Sequence, residues 1–123
     1  MVQANELRLG NWVHLIDDDI NDPIKITLPY LEICNQTPEK FNPIPLTPEL
    51  LEKCGFEKNE ELRYSNVAYF KKKDFTITQV RDSWEVSYGL FGSMALICKS
   101  HLSLHRLQNI FFALLNKELE VNL

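Results

Sequence analysis

The sequence is poor in glycine and cysteine and has no long apolar run. Its four glycines form no G-x-x-x-x-G-K or G-x-G-x-x-G phosphate loop, and no G-x-S-x-G motif marks a hydrolase serine. The three cysteines, Cys34, Cys54 and Cys98, are widely spaced, which favours reduced thiols over a disulfide framework. No window approaches the roughly 18 apolar residues of a membrane span, and the first residues lack a secretory signal. We therefore expect a cytoplasmic protein without a membrane segment.

Basic charge is also scarce. The chain has 13 basic residues against 17 acidic ones, which gives a formal net charge of -4. An acidic protein repels a phosphate backbone at long range, so non-specific nucleic-acid binding is disfavoured. The one basic run, Lys71–Lys73, is closed at once by Asp74, which is typical of a solvated hairpin turn.

The pattern of strands and helices predicts an α+β fold. At 123 residues, with 45% hydrophobic content, the chain fits one domain covering residues 1–123. The segments "LRLGNWVHLI" and "IKITLPYLEI" predict an N-terminal antiparallel hairpin with a longish loop, and residues 62–98 predict a meander of strands. Thr47, Pro48 and Gly55 predict the cap, first turn and end of a short middle helix. The order predicts an antiparallel sheet of about five to six strands, with the middle and C-terminal helices packed on one face.

One stretch resembles part of a zinc site. Cys98-x2-His101-x3-His105 offers three possible ligands, but a closed site needs four, and neither Cys34 nor Cys54, which would have to supply the rest, lies in a C-x-x-C pair. The alternative is a histidine satisfied at a helix end, which we favour. No sequence signature joins a cysteine to His105, and no acid/base pair of carboxylates can be named, so we expect no catalytic residues.

An acidic stretch resembles the start of a calcium loop. Asp17, Asp19 and Asn21 match its first three ligand positions. The match then fails, because Asp22 stands where the loop needs a glycine and Leu28 where it needs a bidentate glutamate. A solvated hairpin loop is the better interpretation, and we predict neither a metal site nor a cofactor.

The C-terminal helix is expected to begin near Ser103 and end near Lys117. At about 100° per residue, six apolar side chains form one stripe that we predict to be core: Leu104, Leu107, Ile110, Phe111, Leu114 and Leu115. His105, Gln108 and Phe112 fall on the flank beside this stripe, and Asn109 points further round.

Two interpretations of the polar flank remain open. In the structural one, Gln108 and Asn109 satisfy backbone groups of the N-terminal strand, with Arg8 or Glu6 pairing nearby. In the functional one, His105, Gln108, Asn109 and Phe112 form a polar-aromatic strip that binds a partner, and these four are the candidate binding residues.

Three separated motifs carry a family resemblance: "ANELRLGNWV", "PIPLTPELLEKCGFEK" and "LHRLQNIFFALLNKELEV". In this order they resemble motifs of short Bacteroidetes proteins that have no assigned activity and are similar to accessory products of phages and mobile elements. The opening motif maps to Asn5, Glu6, Leu7, Arg8, Gly10, Asn11 and Val13. The closing motif maps to His105, Leu107, Gln108, Asn109, Phe112, Ala113 and Leu114. This chain departs from the pattern at Leu50, Cys54 and Asn116–Lys117. Because the opening and closing motifs both recur in the resembling proteins, the resemblance implies that the first strand or its Gly10–Asn11 bend packs near Phe112, leaving only an edge of the ring for a partner.

Two function classes follow from these observations. The favoured one is a non-catalytic interaction or accessory module of phage or mobile-element type, whose partner is an unidentified protein or a second copy of the chain. The alternative is a single-stranded nucleic-acid binder, in which sheet aromatics stack on bases beside Lys71–Lys73. Its stacking residues would be Tyr64, Tyr69, Phe70 and Trp84.

Overall fold

A computed structural model describes residues 1–17, 20–64, 67–72, 75–80, 83–89, 95–100 and 102–123. The strands are β1 (Trp12–Asp17), β2 (Ile20–Lys25), β3 (Phe41–Asn42), β4 (Glu57–Tyr64), β5 (Val67–Lys72), β6 (Phe75–Val80), β7 (Ser83–Tyr88) and β8 (Ala95–Ser100). The helices are α1 (Leu28–Gln36), α2 (Pro48–Lys53) and α3 (Leu104–Leu115), with two 3₁₀ turns at Ala4–Glu6 and Pro38–Lys40. The predicted α+β class is confirmed.

The chain divides into two compact units. The first contains residues 1–46, 103–119 and 123, and the second contains residues 47–102 and 120–122. The strands form two antiparallel sheets, β2-β1-β3 in the first unit and β4-β5-β6-β7-β8 in the second. The sequence pattern indicated one sheet, but β1 pairs with β2 on one side and with the short β3 on the other. No helix in the described ranges has the length and hydropathy of a membrane span.

The N-terminal hairpin is present, but its loop is shorter than expected. The β1–β2 pairing runs from Trp12 opposite Lys25 to Asp17 opposite Ile20. Most of the acidic stretch therefore belongs to the hairpin itself, and Asp18 and Asp19 lie outside the described residues. Pro23 lies in β2, which is an edge strand, the part of a sheet in which proline is tolerated.

Helix α1 replaces the second half of the extended segment predicted at residues 24–33. That part of the prediction is wrong, because Pro29 lies in the first turn of a helix rather than in a strand. Proline has no N–H to lose there and its fixed φ suits the first helical turn. The helix buries Cys34 completely, whereas Leu28, the last member of the apolar alternation, is 63% exposed.

The core of the first unit joins the chain start, the sheet and α1. Val2, Val13, Ile26, Cys34 and Phe41 are each at most 2% exposed. Full burial of an apolar side chain of this kind is worth about 1.5–3 kcal/mol. The residues before β1 are therefore fixed in place rather than loosely attached.

The second unit confirms the predicted middle helix. Thr47 Oγ1 accepts a hydrogen bond from the N–H of Leu50 at 3.1 Å, and Gly55 has φ +87° just beyond the helix. Leu50, Leu51 and Cys54 are buried, as the helical spacing predicts.

The five-stranded sheet of the second unit is an antiparallel meander, as expected. One face is apolar and buried: Phe70, Phe75, Ile77, Trp84 and Val86 are all at most 6% exposed. Their neighbours along β6 and β7, Thr76, Thr78, Glu85 and Ser87, point to the other face. This alternation indicates a sheet with one packed face and one polar face.

Candidate functional site

Helix α3 carries the four predicted binding residues, and its buried face differs from the predicted one at three positions. Leu104, Leu107 and Phe111 are buried as expected, but Leu114 is 39% exposed, so its assignment to the core stripe is wrong. His105 and Gln108, which were assigned to the flank, are each only 2% exposed. The reason is that the residues before β1 lie against this flank and bury it.

The Gln108 side chain binds the backbone of the bend before β1. Its Oε1 accepts from the N–H of Trp12 at 2.8 Å, and its Nε2 donates to the carbonyl of Gly10 at 3.1 Å. The Gln108 amide thus forms the two backbone hydrogen bonds that a neighbouring β-strand would otherwise form. The structural interpretation of Gln108 is confirmed.

Asn109 is held in the same way. Its Nδ2 donates to the carbonyl of Glu6 at 3.0 Å, and its Oδ1 accepts from Asn11 Nδ2 at 2.9 Å. Asn11 is fully buried, and its own Oδ1 accepts from the N–H of Arg8 at 2.7 Å. Sequence reasoning did not single out Asn11, although its position in the opening motif was a signal.

Arg8 joins three parts of the first unit. Its guanidinium forms a two-pronged ion pair with Glu118, and its Nε donates to Asn109 Oδ1 at 3.2 Å. Its Nη2 also reaches the carbonyl of Gln108 at 3.4 Å, and its central carbon lies 4.2 Å from the centroid of the Phe112 ring. We call Arg8, Asn11, Gln108, Asn109 and Glu118 the Arg8 cluster.

Phe112 is half-buried, and its ring lies against the Arg8 guanidinium. Arginine over an aromatic face is a favourable cation–π arrangement. The expected contact near the Gly10–Asn11 bend is therefore present, and Arg8, just before the bend, supplies it. Part of the ring remains exposed, as the sequence analysis predicted.

His105 lies at the first turn of α3, facing Glu6. Its Nδ1 is 3.1 Å from Ser103 Oγ, whereas its Nε2 has no hydrogen-bond partner and lies 3.9 Å from Glu6 Oε2. Glu6 in turn accepts from the N–H of Gln3 at 3.0 Å and from Arg106 Nη2 at 3.3 Å.

These surroundings shift the pKa values of both groups. Burial lowers the pKa of His105; Glu6 opposes this effect and Arg106 adds to it. For Glu6, burial acts to raise the pKa, but the hydrogen bonds from Gln3 and Arg106 and the positive charges of a protonated His105 and of Arg106 outweigh it, so the pKa lies below its ordinary value. The neutral imidazole beside an ionised carboxylate is therefore the favoured pair near pH 7.

The residues considered for metal binding are only partly described. The side chains of Cys98, His101 and Asp19 lie outside the described residues. Within the described ranges, no group of three histidine, cysteine, aspartate or glutamate side chains is placed to hold a metal ion.

The residues proposed to bind single-stranded nucleic acid are also only partly described. Phe70 is fully buried and Trp84 is 6% exposed, with their ring centroids 6.1 Å apart, so neither ring is open to a base. Lys72 Nζ donates to the carbonyl of Cys54 at 2.8 Å, at the end of α2. The side chains of Tyr64 and Tyr69, and all of Lys73, lie outside the described residues.

The four predicted residues thus all face the chain's own N-terminal segment. Gln108 and Asn109 form hydrogen bonds with it, the His105 ring lies near Glu6 without a hydrogen bond to it, and the Phe112 ring lies against Arg8. His105 and Gln108 offer almost no surface, Asn109 has both side-chain groups engaged, and Phe112 retains an exposed part. This arrangement can hold an aromatic surface in a fixed position. No family model, no curated protein and no solved structure matches this chain.

Proposed function

We propose that the protein is a non-catalytic protein-interaction or accessory module of phage or mobile-element type, which contacts a partner protein through the last turns of α3. The contact surface consists of Phe112 and Leu115, which lie three residues apart on one side of the helix. Both are half-buried, and Arg8 covers one side of the Phe112 ring. We call these three residues the Phe112 surface.

The observation that carries the proposal is the fixed position of an aromatic ring and an arginine at this surface. Aromatic and arginine side chains dominate the binding energy of protein interfaces. Here the guanidinium is already held by Glu118 and Asn109, so little side-chain freedom remains to be lost on binding. In this proposal His105, Gln108 and Asn109 contribute by positioning the Phe112 surface.

A site-specific crosslink tests the proposal. A photo-crosslinking amino acid in place of the exposed Ala113 is expected to capture one defined partner, which mass spectrometry then identifies. The same group in place of Gln36, exposed at the end of α1, serves as the matched control. Capture by the crosslinker at position 113 should be lost when Phe112→Ala is added. Sedimentation of the purified protein over a range of concentrations shows whether the partner is a second copy of the chain. Equal capture from both positions, or capture unaffected by Phe112→Ala, would contradict the proposal.

The phage or mobile-element part of the proposal is supported by the resemblance of the three sequence motifs. Its test is expression: transcription of the gene together with neighbouring element genes, after DNA damage induces the element, is the expected result. Constant transcription independent of any element would count against it.

A further inference from the structure

The ion pair between Arg8 and Glu118 leaves one hydrogen-bond donor unused beside the Phe112 surface. A guanidinium carries five N–H groups. The Nε of Arg8 donates to Asn109, and its Nη2 donates to the carbonyl of Gln108 and to Glu118. Its Nη1 donates to Glu118 alone. One N–H of Nη1 is therefore without a partner among the described residues.

The Glu118 carboxylate has unused acceptors as well. In the described part of the chain each of its oxygens accepts one hydrogen bond, from Arg8, whereas an ionised carboxylate offers about four acceptor sites. The Glu118 side chain is 53% exposed and the Arg8 side chain 29% exposed, so water reaches both groups. The pair can thus form further hydrogen bonds with a molecule that brings both a carboxylate and a donor.

This arrangement of charges suits a two-fold interface. In such an interface the same patch of two copies meets, so each patch has to complement itself. A patch with Arg8 alone would place two like charges near the axis. Because Glu118 lies beside Arg8, each guanidinium can instead meet the carboxylate of the other copy. One chain therefore contains both halves of the charge complementarity that a second copy requires.

We propose that the partner at the Phe112 surface is a second copy of the chain, bound about a two-fold axis. This inference rests on the proposed function and adds the identity of the partner. The half-buried Phe112 and Leu115 pack against the same residues of the second copy. The remaining N–H of each Arg8 donates to Glu118 of the other copy, so the four charges alternate in sign. The apolar part is small, and interfaces of small area are weak, so the dimer exchanges with the monomer.

Exchange of charges between copies gives a direct test. Sedimentation of the purified chain from micromolar to millimolar concentration is expected to show a monomer–dimer equilibrium. Arg8→Glu gives the surface two negative charges and Glu118→Arg gives it two positive ones, so each variant alone should dimerise at least about tenfold more weakly. Glu32→Arg makes the same charge change at an exposed position of α1 and should leave the equilibrium unchanged.

An equimolar mixture of Arg8→Glu and Glu118→Arg separates pairing between copies from pairing within one. In a mixed dimer both reciprocal pairs join opposite charges, so dimerisation should return towards that of the wild type. Within either variant the internal pair still joins like charges, so a purely internal pair predicts no recovery. A mixture of Arg8→Glu with Glu32→Arg should show no recovery and serves as the matched control.

A crosslink in the purified chain keeps the test decisive if Arg8→Glu fails to fold. A photo-crosslinking group at position 113 should give a covalent dimer whose link maps to α3 or to the residues before β1 of the second copy. The same group at position 36 should give none, and Phe112→Ala should abolish the dimer.

Two results would overturn the second copy as partner and leave the proposed function in place. One is a chain that stays monomeric at millimolar concentration while the crosslinker at position 113 captures a different protein. The other is a dimer that is insensitive to both Phe112→Ala and Glu118→Arg. A dimer that both charge variants weaken and their mixture fails to restore would overturn the reciprocal pairs. Absence of any capture at position 113 would overturn this inference and the proposed function together.

Discussion

The side-chain amide of Gln108 lies between the N–H of Trp12 and the carbonyl of Gly10, at 2.8 and 3.1 Å. Both contacts join residues almost a hundred positions apart in the chain. Only a side chain with one acceptor and one donor at this spacing can satisfy both backbone groups, which accounts for a glutamine, 2% exposed, on the buried side of α3.

Removing this amide should destabilise the first unit. Gln108→Leu leaves two backbone groups without a partner, and each orphaned group costs about 1–3 kcal/mol of unfolding free energy. Gln108→Glu keeps the acceptor for the N–H of Trp12 and loses the donor to the carbonyl of Gly10. At pH 7 it should destabilise the chain less than Gln108→Leu only if the new carboxylate can be solvated. Urea denaturation gives the comparison, with Gln36→Leu at the exposed end of α1 as the control. A loss no larger than that of the control would mean that these hydrogen bonds contribute nothing.

The corrected core face of α3 makes a direct prediction. Leu107→Ala should cost about 2–5 kcal/mol, because it removes a fully buried side chain and leaves a cavity. Leu114→Ala should cost less than about 1 kcal/mol, because this side chain is partly exposed. Equal shifts of the denaturation midpoint would show that Leu114 is buried after all.

Phe112 is expected to contribute to the stability of the isolated chain as well as to binding. Phe112→Ala removes the ring beneath the Arg8 guanidinium and should destabilise the chain by over about 1.5 kcal/mol. Ala113→Ser, a change at the exposed neighbouring position, is the control. Unchanged monomer stability, together with lost self-association in sedimentation, would make Phe112 an interface residue without a structural role.

The stability of the whole chain should fall in acid. The folded-state pKa of His105 is lowered, so its contribution is complete above 6.5 and is lost as the pH falls below that value. The folded-state pKa of Glu6 is lowered too, so a further loss begins as the pH approaches 4.5 from above. Denaturation midpoints of the wild type and His105→Gln, measured at steps from pH 7.5 to 4, should differ mainly in the first of these losses, because His105 makes only one of several contributions to the Glu6 pKa. Parallel curves would exclude His105 as its source.

Two glycines allow a matched test of backbone strain. Gly55 and Gly10 have φ of +87° and +91°, a region in which other residues are strained by roughly 1–2 kcal/mol. An added Cβ at Gly55 would lie 2.9 Å from Lys72 Nζ, whereas at Gly10 the nearest heavy atom is 3.9 Å away. Gly55→Ala should therefore cost more than Gly10→Ala, because it also displaces the lysine that binds the Cys54 carbonyl. The reverse order in thermal denaturation would refute this difference.

The sequence predicted correctly those elements whose position is determined by residues within a few positions of them. The cap Thr47 and the left-handed Gly55 act within a few residues of α2, so its position could be predicted from the sequence. Pro29 fits either a broken strand or the first turn of a helix, and the choice depends on burial of Cys34 in a core assembled from distant segments. The role of Asn11 depends on Asn109, 98 positions later, and periodicity within one element carries no information about such a contact.

The division of the chain has a consequence for its synthesis. The first unit needs residues 1–46 and α3, but the whole segment 47–102 is translated between them. At ribosomal rates of about 5–20 residues per second, the N-terminal hairpin waits several seconds for the helix that supplies Gln108 and Asn109. During that interval the polar groups of Gly10 and Trp12 are without those partners, and α1 and the hairpin have only their own core to stabilise them. A message truncated before residue 103 would thus yield a nascent chain whose first unit cannot be completed, however well its remaining segments fold.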